Sequence, residues 1–183
     1  MPPPILTMSA LVLAANAAWA LPANAQTIHG RYVPDPSAPN AAVVERAIAE
    51  TASPFFFAIR GLVTSRLRET NPVFAEIDLS FDGRSLVFRA APLVVVAALD
   101  RQTESRGLDG STNAVSLRRV GSSLLLRMWT SEGARLTELI LRGDALDLRI
   151  TVSSPRLRAP MTYTLRYVRR DRQSTSRDRA RPG

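Results

Sequence analysis

The 183-residue chain contains no cysteine and no lysine, and it has a single histidine. Without cysteine there is no disulfide to brace a fold outside the cytosol, no thiol nucleophile and no thiolate metal ligand. With His29 alone, neither a zinc nor a copper site of ordinary composition can be assembled. A Ser-His-Asp triad would have to draw on that one imidazole near the N-terminal end, where a solvated side chain is expected. There is no glycine-rich phosphate loop, no His-Glu-x-x-His and no nucleophile elbow. Glu76 and Asp78 fall on one strand face, but it is the polar one, where solvated surface is expected rather than acid–base work. The stretch "DRQTESRGLDG" carries two arginines and lacks calcium-loop spacing. Aromatic residues are too few and too scattered for a nucleic-acid stacking platform. These absences predict a non-enzyme, with no catalytic residue, no metal, no cofactor and no nucleic-acid partner.

What is present begins with an address. Residues 1–25 carry no charged side chain. The run from Ile5 to Leu21 is rich in Ala, Leu and Val, and Ala23-Asn24-Ala25 offers a small-x-small cleavage site. This reads as a signal peptide, cut near Ala25, with a periplasmic or secreted product starting at Gln26. The formal charge is +8, all of the basic side chains being arginine. Residues 169–183 hold six Arg and two Asp, a net of +4, which leaves +4 for the rest. The domain is therefore not uniformly basic. Residues 171–183 read as a disordered basic tail in which Arg172, Arg177, Arg179 and Arg181 are candidates for peripheral contact with an anionic envelope surface.

Residues 26–39, with three prolines, read as an extended segment leading into one domain over 40–170. Val44, Ile48, Thr51, Phe55, Ile59 and Leu62 recur at spacings of three and four, one stripe of an amphipathic helix. Asn40 is a candidate N-cap. Pro54 either kinks one helix or starts a second with Ser53 as its cap; two segments, 41–52 and 54–69, are preferred. Asn71-Pro72 ends the helix.

After Pro72 the period changes from 3.6 to 2. Val73, Ala75, Ile77, Leu79 and Phe81 alternate with Glu76, Asp78 and Ser80, and Asp82-Gly83 predicts a hairpin. Strands follow at 86–90, 93–99, 114–120, 124–130, 136–142, 146–153 and along Met161, Tyr163, Leu165 and Tyr167. The run 93–99 shows no alternation and is expected to be buried on both faces. Residues 100–113 read as a long polar loop. The fold class is mainly β with an N-terminal helical segment (α+β): an antiparallel up-and-down barrel of about eight strands, with helix 41–69 covering one end or wall. The strands are mostly too short for an outer-membrane barrel.

The Gly30-Arg31-Tyr32 segment, the helix ending "SRLRETNP" and the closing "ITVSSPRLRAPMTYTLRYVRR", behind a signal peptide, resemble uncharacterised secreted bacterial proteins of lipocalin-like (calycin-like) type. In lipocalins a Gly-x-Trp packs against an arginine from the last strand and closes one barrel end. Here Tyr32 stands where Trp is expected, and Arg166 or Arg169 is the partner that the resemblance implies. It also implies a hydrophobic small molecule inside the barrel. Tyr163 and Tyr167 are candidate polar handles for it, and Phe55, Phe56 and Trp129 candidate contacts. The alternative is a filled barrel that engages a protein partner or an anionic surface of the envelope. A cavity of about 300 Å³ or more favours the first reading.

Overall fold

The computed structural model describes residues 27–170. Along the chain the elements are β1 (Ile28–Pro34), α1 (Asn40–Ala52), α2 (Phe57–Thr70), β2 (Ile77–Phe81), β3 (Ser85–Ala90), β4 (Leu93–Ala98), β5 (Gln102–Arg106), β6 (Thr112–Val120), β7 (Ser123–Thr130), β8 (Gly133–Arg142), β9 (Ala145–Ser153) and β10 (Met161–Arg169). All ten strands form one antiparallel sheet in the order β4-β3-β2-β1-β10-β9-β8-β7-β6-β5. Tight turns join most of them. At Asp82-Gly83 the carboxylate accepts from the backbone N–H groups of Ser85 (2.7 Å) and Arg84 (2.8 Å), while Gly83 takes φ 92°, a value that side chains resist. Those two donors hold the Asp82 carboxyl below the usual carboxylate range.

The sheet curls until its outer strands meet. Between β4 and β5 there is no continuous backbone ladder. Instead Thr103 Oγ1 donates to the Val96 carbonyl at 3.2 Å and Ser105 Oγ to the Val94 carbonyl at 2.9 Å. The barrel is thus nearly closed, with hydroxyl groups bridging its seam. Alternation along each strand turns one face inward. Ile77, Leu79, Leu86, Leu117, Leu139 and Leu146 are fully buried there. Each such side chain contributes roughly 1.5–3 kcal/mol on leaving water. At the end where the β8–β9 turn lies, Tyr32 and Leu146 are fully buried.

The two helices are held very differently. α1 buries Asn40, Val44, Ala47, Ile48 and Ala52 and packs against β10. Asn40 extends the sheet by a side chain: its Oδ1 accepts from the Arg166 N–H (2.9 Å) and its Nδ2 donates to the Arg166 carbonyl (2.7 Å). α2 buries one residue, Leu67, and is tied to α1 by Arg68, whose Nε donates to Glu45 at 2.8 Å. It is a cover resting on the barrel rather than part of the core.

Several sequence expectations are corrected by this arrangement. Ten strands replace eight. β1 lies in residues read as an extended lead-in, and it pairs with both β2 and β10. β5 lies in the presumed polar loop. The helix stripe does not run through Pro54: Ile59 and Leu62 are exposed. Ser53 ends α1, and α2 starts only at Phe57 with Phe56 as its cap. Asn40 is the first residue of α1, with Pro39 capping. β2 starts at Ile77, because Phe74 rather than Ala75 turns inward just before it. β4 is not buried on both faces; Val94 and Val96 point outward.

Candidate ligand-binding site

The mouth of the barrel lies beneath α2, at the end formed by the β5–β6, β7–β8 and β9–β10 connections. A cavity of about 460 Å³ opens there, within the range of small-molecule sites. Its walls are mostly apolar, built from Val63 and Leu67 of α2, Leu93 of β4, Met128 of β7 and Val152 of β9. Each strand residue reaches the mouth because it occupies an inward position near its strand's end.

One charged side chain enters from the wall. On β8, Leu139 and Thr137 are buried, so the same parity sends Arg135 inward while Leu136 faces out, exposed. Arg135 lines the cavity beside Asn71. Its Nη1 donates to the Asn71 side-chain oxygen at 3.0 Å and to the Thr70 carbonyl at 3.1 Å. Both bonds fall on the C-terminal end of α2, where orphan carbonyls and the helix dipole favour a cation. Asn71 completes the cap, its Nδ2 donating to the Leu67 carbonyl at 2.8 Å.

Beneath this cap stand the two tyrosines of β10. The Tyr163 hydroxyl donates to Asn71 Oδ1 at 3.0 Å, and the Tyr167 oxygen accepts the Phe74 backbone N–H at 3.1 Å. Burial raises the Tyr163 phenol above its ordinary value, with Arg135 opposing the shift. Burial likewise pushes Tyr167 up to about 12, the Phe74 N–H opposing it. Both phenols therefore stay neutral at neutral pH. At the rim, Arg66 pairs with Asp109 (3.6 Å) and Arg156 with Glu132 (3.2 Å), exposed contacts of small energetic value. The Asp109 carboxyl sits below its usual range, chiefly through the Ser111 hydroxyl hydrogen bond.

The sequence candidates scatter around this site. Phe55 lines the cavity. Tyr163 and Tyr167 face the interior but do not reach the cavity; Asn71, which Tyr163 holds, does. Phe56 is corrected: it lies outside the cavity, exposed and stacked at 4.9 Å on Phe57. Trp129 is corrected too. Met128 is the inward residue, so Trp129 lies on the outer wall, with the Arg127 guanidinium 5.0 Å from its ring. The partner of Tyr32 is Arg169, 5.8 Å above the ring and donating to the His29 carbonyl at 3.0 Å. Arg166 has outward parity on β10 and pairs with Asp35 (3.5 Å) and Asp147 (4.0 Å) instead. The Tyr32–Arg169 stack thus lies at the end opposite the cavity. His29 is placed in β1, not in a loose end, with Ser80 Oγ 2.8 Å from its Nδ1 on the outer face. The signal-peptide residues and Arg172, Arg177, Arg179 and Arg181 lie outside the described residues. Among the described residues no three His, Asp or Glu side chains converge as a metal site.

Sequence reasoning passed over Arg135 and Asn71. In the sequence Asn71 signals only a helix stop. Arg135 carried a signal in its parity: counting back by two from Leu139 puts it inside.

No protein-family model matches the sequence, and no curated protein matches it. Solved structures do. An abundant heat soluble (SAHS) protein from Ramazzottius varieornatus superposes with a TM-score of 0.53 at 11% identity, over 77% of this chain and 93% of that one. A luciferase domain from Lingulodinium polyedrum gives 0.49 at 13% identity, over 77% of this chain and 41% of that one. A Schistosoma mansoni fatty acid binding protein in complex with arachidonic acid gives 0.47 at 13% identity, over 78% and 95%. The likeness to the SAHS protein is one of fold alone.

Proposed function

We propose that this protein is a non-enzymatic binding module, periplasmic or secreted, that holds one amphipathic small molecule in the mouth of its barrel. The apolar body lies against Val63, Leu67, Met128 and Val152, and an anionic head meets Arg135. The observation that carries this reading is Arg135 itself, an arginine turned inward onto a cavity with apolar walls, its Nη1 engaged by the end of α2. A guanidinium in that setting is suited to a carboxylate, sulfate or phosphate ester. Because Tyr32 and Leu146 are fully buried at the far end, the ligand occupies the α2 end rather than the whole barrel.

The test is titration with 1-anilinonaphthalene-8-sulfonate, an apolar fluorophore with an anionic group, followed by displacement with dodecanoate. One saturable site is expected. Val63→Trp, which fills the cavity from α2, abolishes it while leaving the melting temperature within a few degrees, roughly the effect of 1 kcal/mol. Undiminished binding by Val63→Trp refutes the site. N-terminal sequencing of protein recovered from its own host tests the address, the expected first residue being Gln26.

A further inference from the structure

We propose that the N-terminal turn of α2 is a docking surface for an anionic lipid bilayer. Of the eight exposed large hydrophobic residues among those described, four fall within seven positions: Phe56 (69% exposed), Phe57 (76%), Ile59 (48%) and Leu62 (74%). The other four are valines and a leucine spread over β4, β6 and β8, as ordinary surface residues are. Within the cluster the two phenyl rings support one another at 4.9 Å, and Leu62 reaches the cavity rim. The turn that presents them is fixed from behind. Arg60 donates through Nη2 to the Ser53 carbonyl at 3.0 Å and the Phe55 carbonyl at 3.1 Å. The rings are therefore held out in water by structure, at a cost that a partner surface would remove.

Charge selects the partner. Arg60 lies one turn along α2 from the rings and Arg158 is exposed in the β9–β10 loop; neither has a carboxylate partner among the described residues. That loop shares the cavity rim with Leu62 through Arg156 and Leu157. The two carboxylates that line this rim, Asp109 and Glu132, are paired with Arg66 and Arg156. Aromatic and aliphatic side chains flanked by arginine suit the headgroup boundary of an acidic membrane. No helix among the described residues is long and apolar enough to cross a bilayer, so α2 would lie at the surface. Because Leu62 belongs both to the patch and to the cavity wall, docking would face the cavity mouth toward lipid. The inference goes beyond the binding reading and stands whatever the cavity takes.

The experiment is flotation of the full chain with vesicles of phosphatidylcholine alone, or of equal parts phosphatidylcholine and phosphatidylglycerol, at low and high salt. The protein is expected to float with the acidic vesicles and to be released by salt. The double variant Phe56→Ser/Phe57→Ser is expected to lower partitioning about ten-fold, and Arg158→Gln about three-fold. Unchanged thermal unfolding and unchanged binding of the anilinonaphthalene probe in solution show that these variants keep their fold and cavity. The proposal is overturned if the protein fails to float, if the double variant floats like the parent, or if neutral vesicles serve equally. It is also overturned, in favour of self-association, if the parent dimerises without vesicles and the double variant does not.

Discussion

Replacing Arg135 by glutamine separates the head of a ligand from its tail. In the structure the guanidinium spends Nη1 on the Thr70 carbonyl and Asn71, and the side chain lines the cavity. An anionic head taking one such charged hydrogen bond gains roughly 1.5–3 kcal/mol. At about 1.4 kcal/mol per decade, dodecanoate should bind about 10- to 100-fold more weakly to Arg135→Gln. Dodecanol has the same tail and a neutral head, for which glutamine still offers a donor. Its affinity should change by no more than about five-fold, since a neutral hydrogen bond contributes only around 1 kcal/mol net. The variant also loses a cation at the α2 C-terminus, costing about 1–2 kcal/mol of stability and lowering the melting temperature by a few degrees. Calorimetric titration of both ligands at neutral pH, with a melt of each protein, reads all three quantities. Equal losses for the acid and the alcohol would refute the reasoning, because Arg135 would then only shape the floor. An unchanged acid affinity would move the head elsewhere.

Three further outcomes follow from the geometry. Asn40→Ala leaves the Arg166 N–H without its acceptor, while the Arg166 carbonyl keeps the Asp35 N–H at 3.0 Å; a loss of about 2–3 kcal/mol in urea unfolding is expected, and less than about 1 kcal/mol would show that water replaces the amide. Tyr167, raised from 10.0 to about 12 in the folded state, favours the folded protein fully below about pH 10 and loses that contribution as pH rises toward 12, roughly 3 kcal/mol in all. Urea midpoints across that alkaline window should fall for the parent more steeply than for Tyr167→Phe, and parallel curves would contradict the burial. Trp129→Ala, on the outer wall, should leave probe affinity within about two-fold and cost about 1 kcal/mol or less through the lost Arg127 contact; a ten-fold loss of affinity would place the indole inside.

The legible part of the fold is the part where burial is one-sided. β6 to β10 alternate apolar and polar residues, and Leu146, Leu148 and Ile150 could be placed inward from the sequence alone. β5 could not be seen. "QTESR" has no apolar residue, because its inward hydroxyls serve the seam and its strand character comes wholly from pairing with β6. β1 was hidden by prolines and by having only Ile28 and Tyr32 as buried apolar residues. The stripe drawn through Phe55, Ile59 and Leu62 failed for a different reason. Periodicity records which residues are apolar, not whether anything covers them, and α2 is covered by little. The site was legible only in fragments. Phe55 lines the cavity and the β10 tyrosines face the interior, whereas Arg135 reads as an ordinary surface charge until the strand register is fixed.

The pairing of β1 with β10 also governs when the protein can become itself. Tyr32 and Arg169 are 137 positions apart, yet they share a ladder near the middle of the sheet. Apart from β1–β2, which encloses the helices, every other ladder joins neighbours in the chain and can form soon after synthesis. The β1–β10 ladder cannot. Until residue 169 emerges from the ribosome or from a translocation channel, β1 and β9 each lack a partner edge, and α1 lacks the strand it rests on. The nascent chain is thereby kept open by its own topology, and the last strand delivered is the one that locks the first.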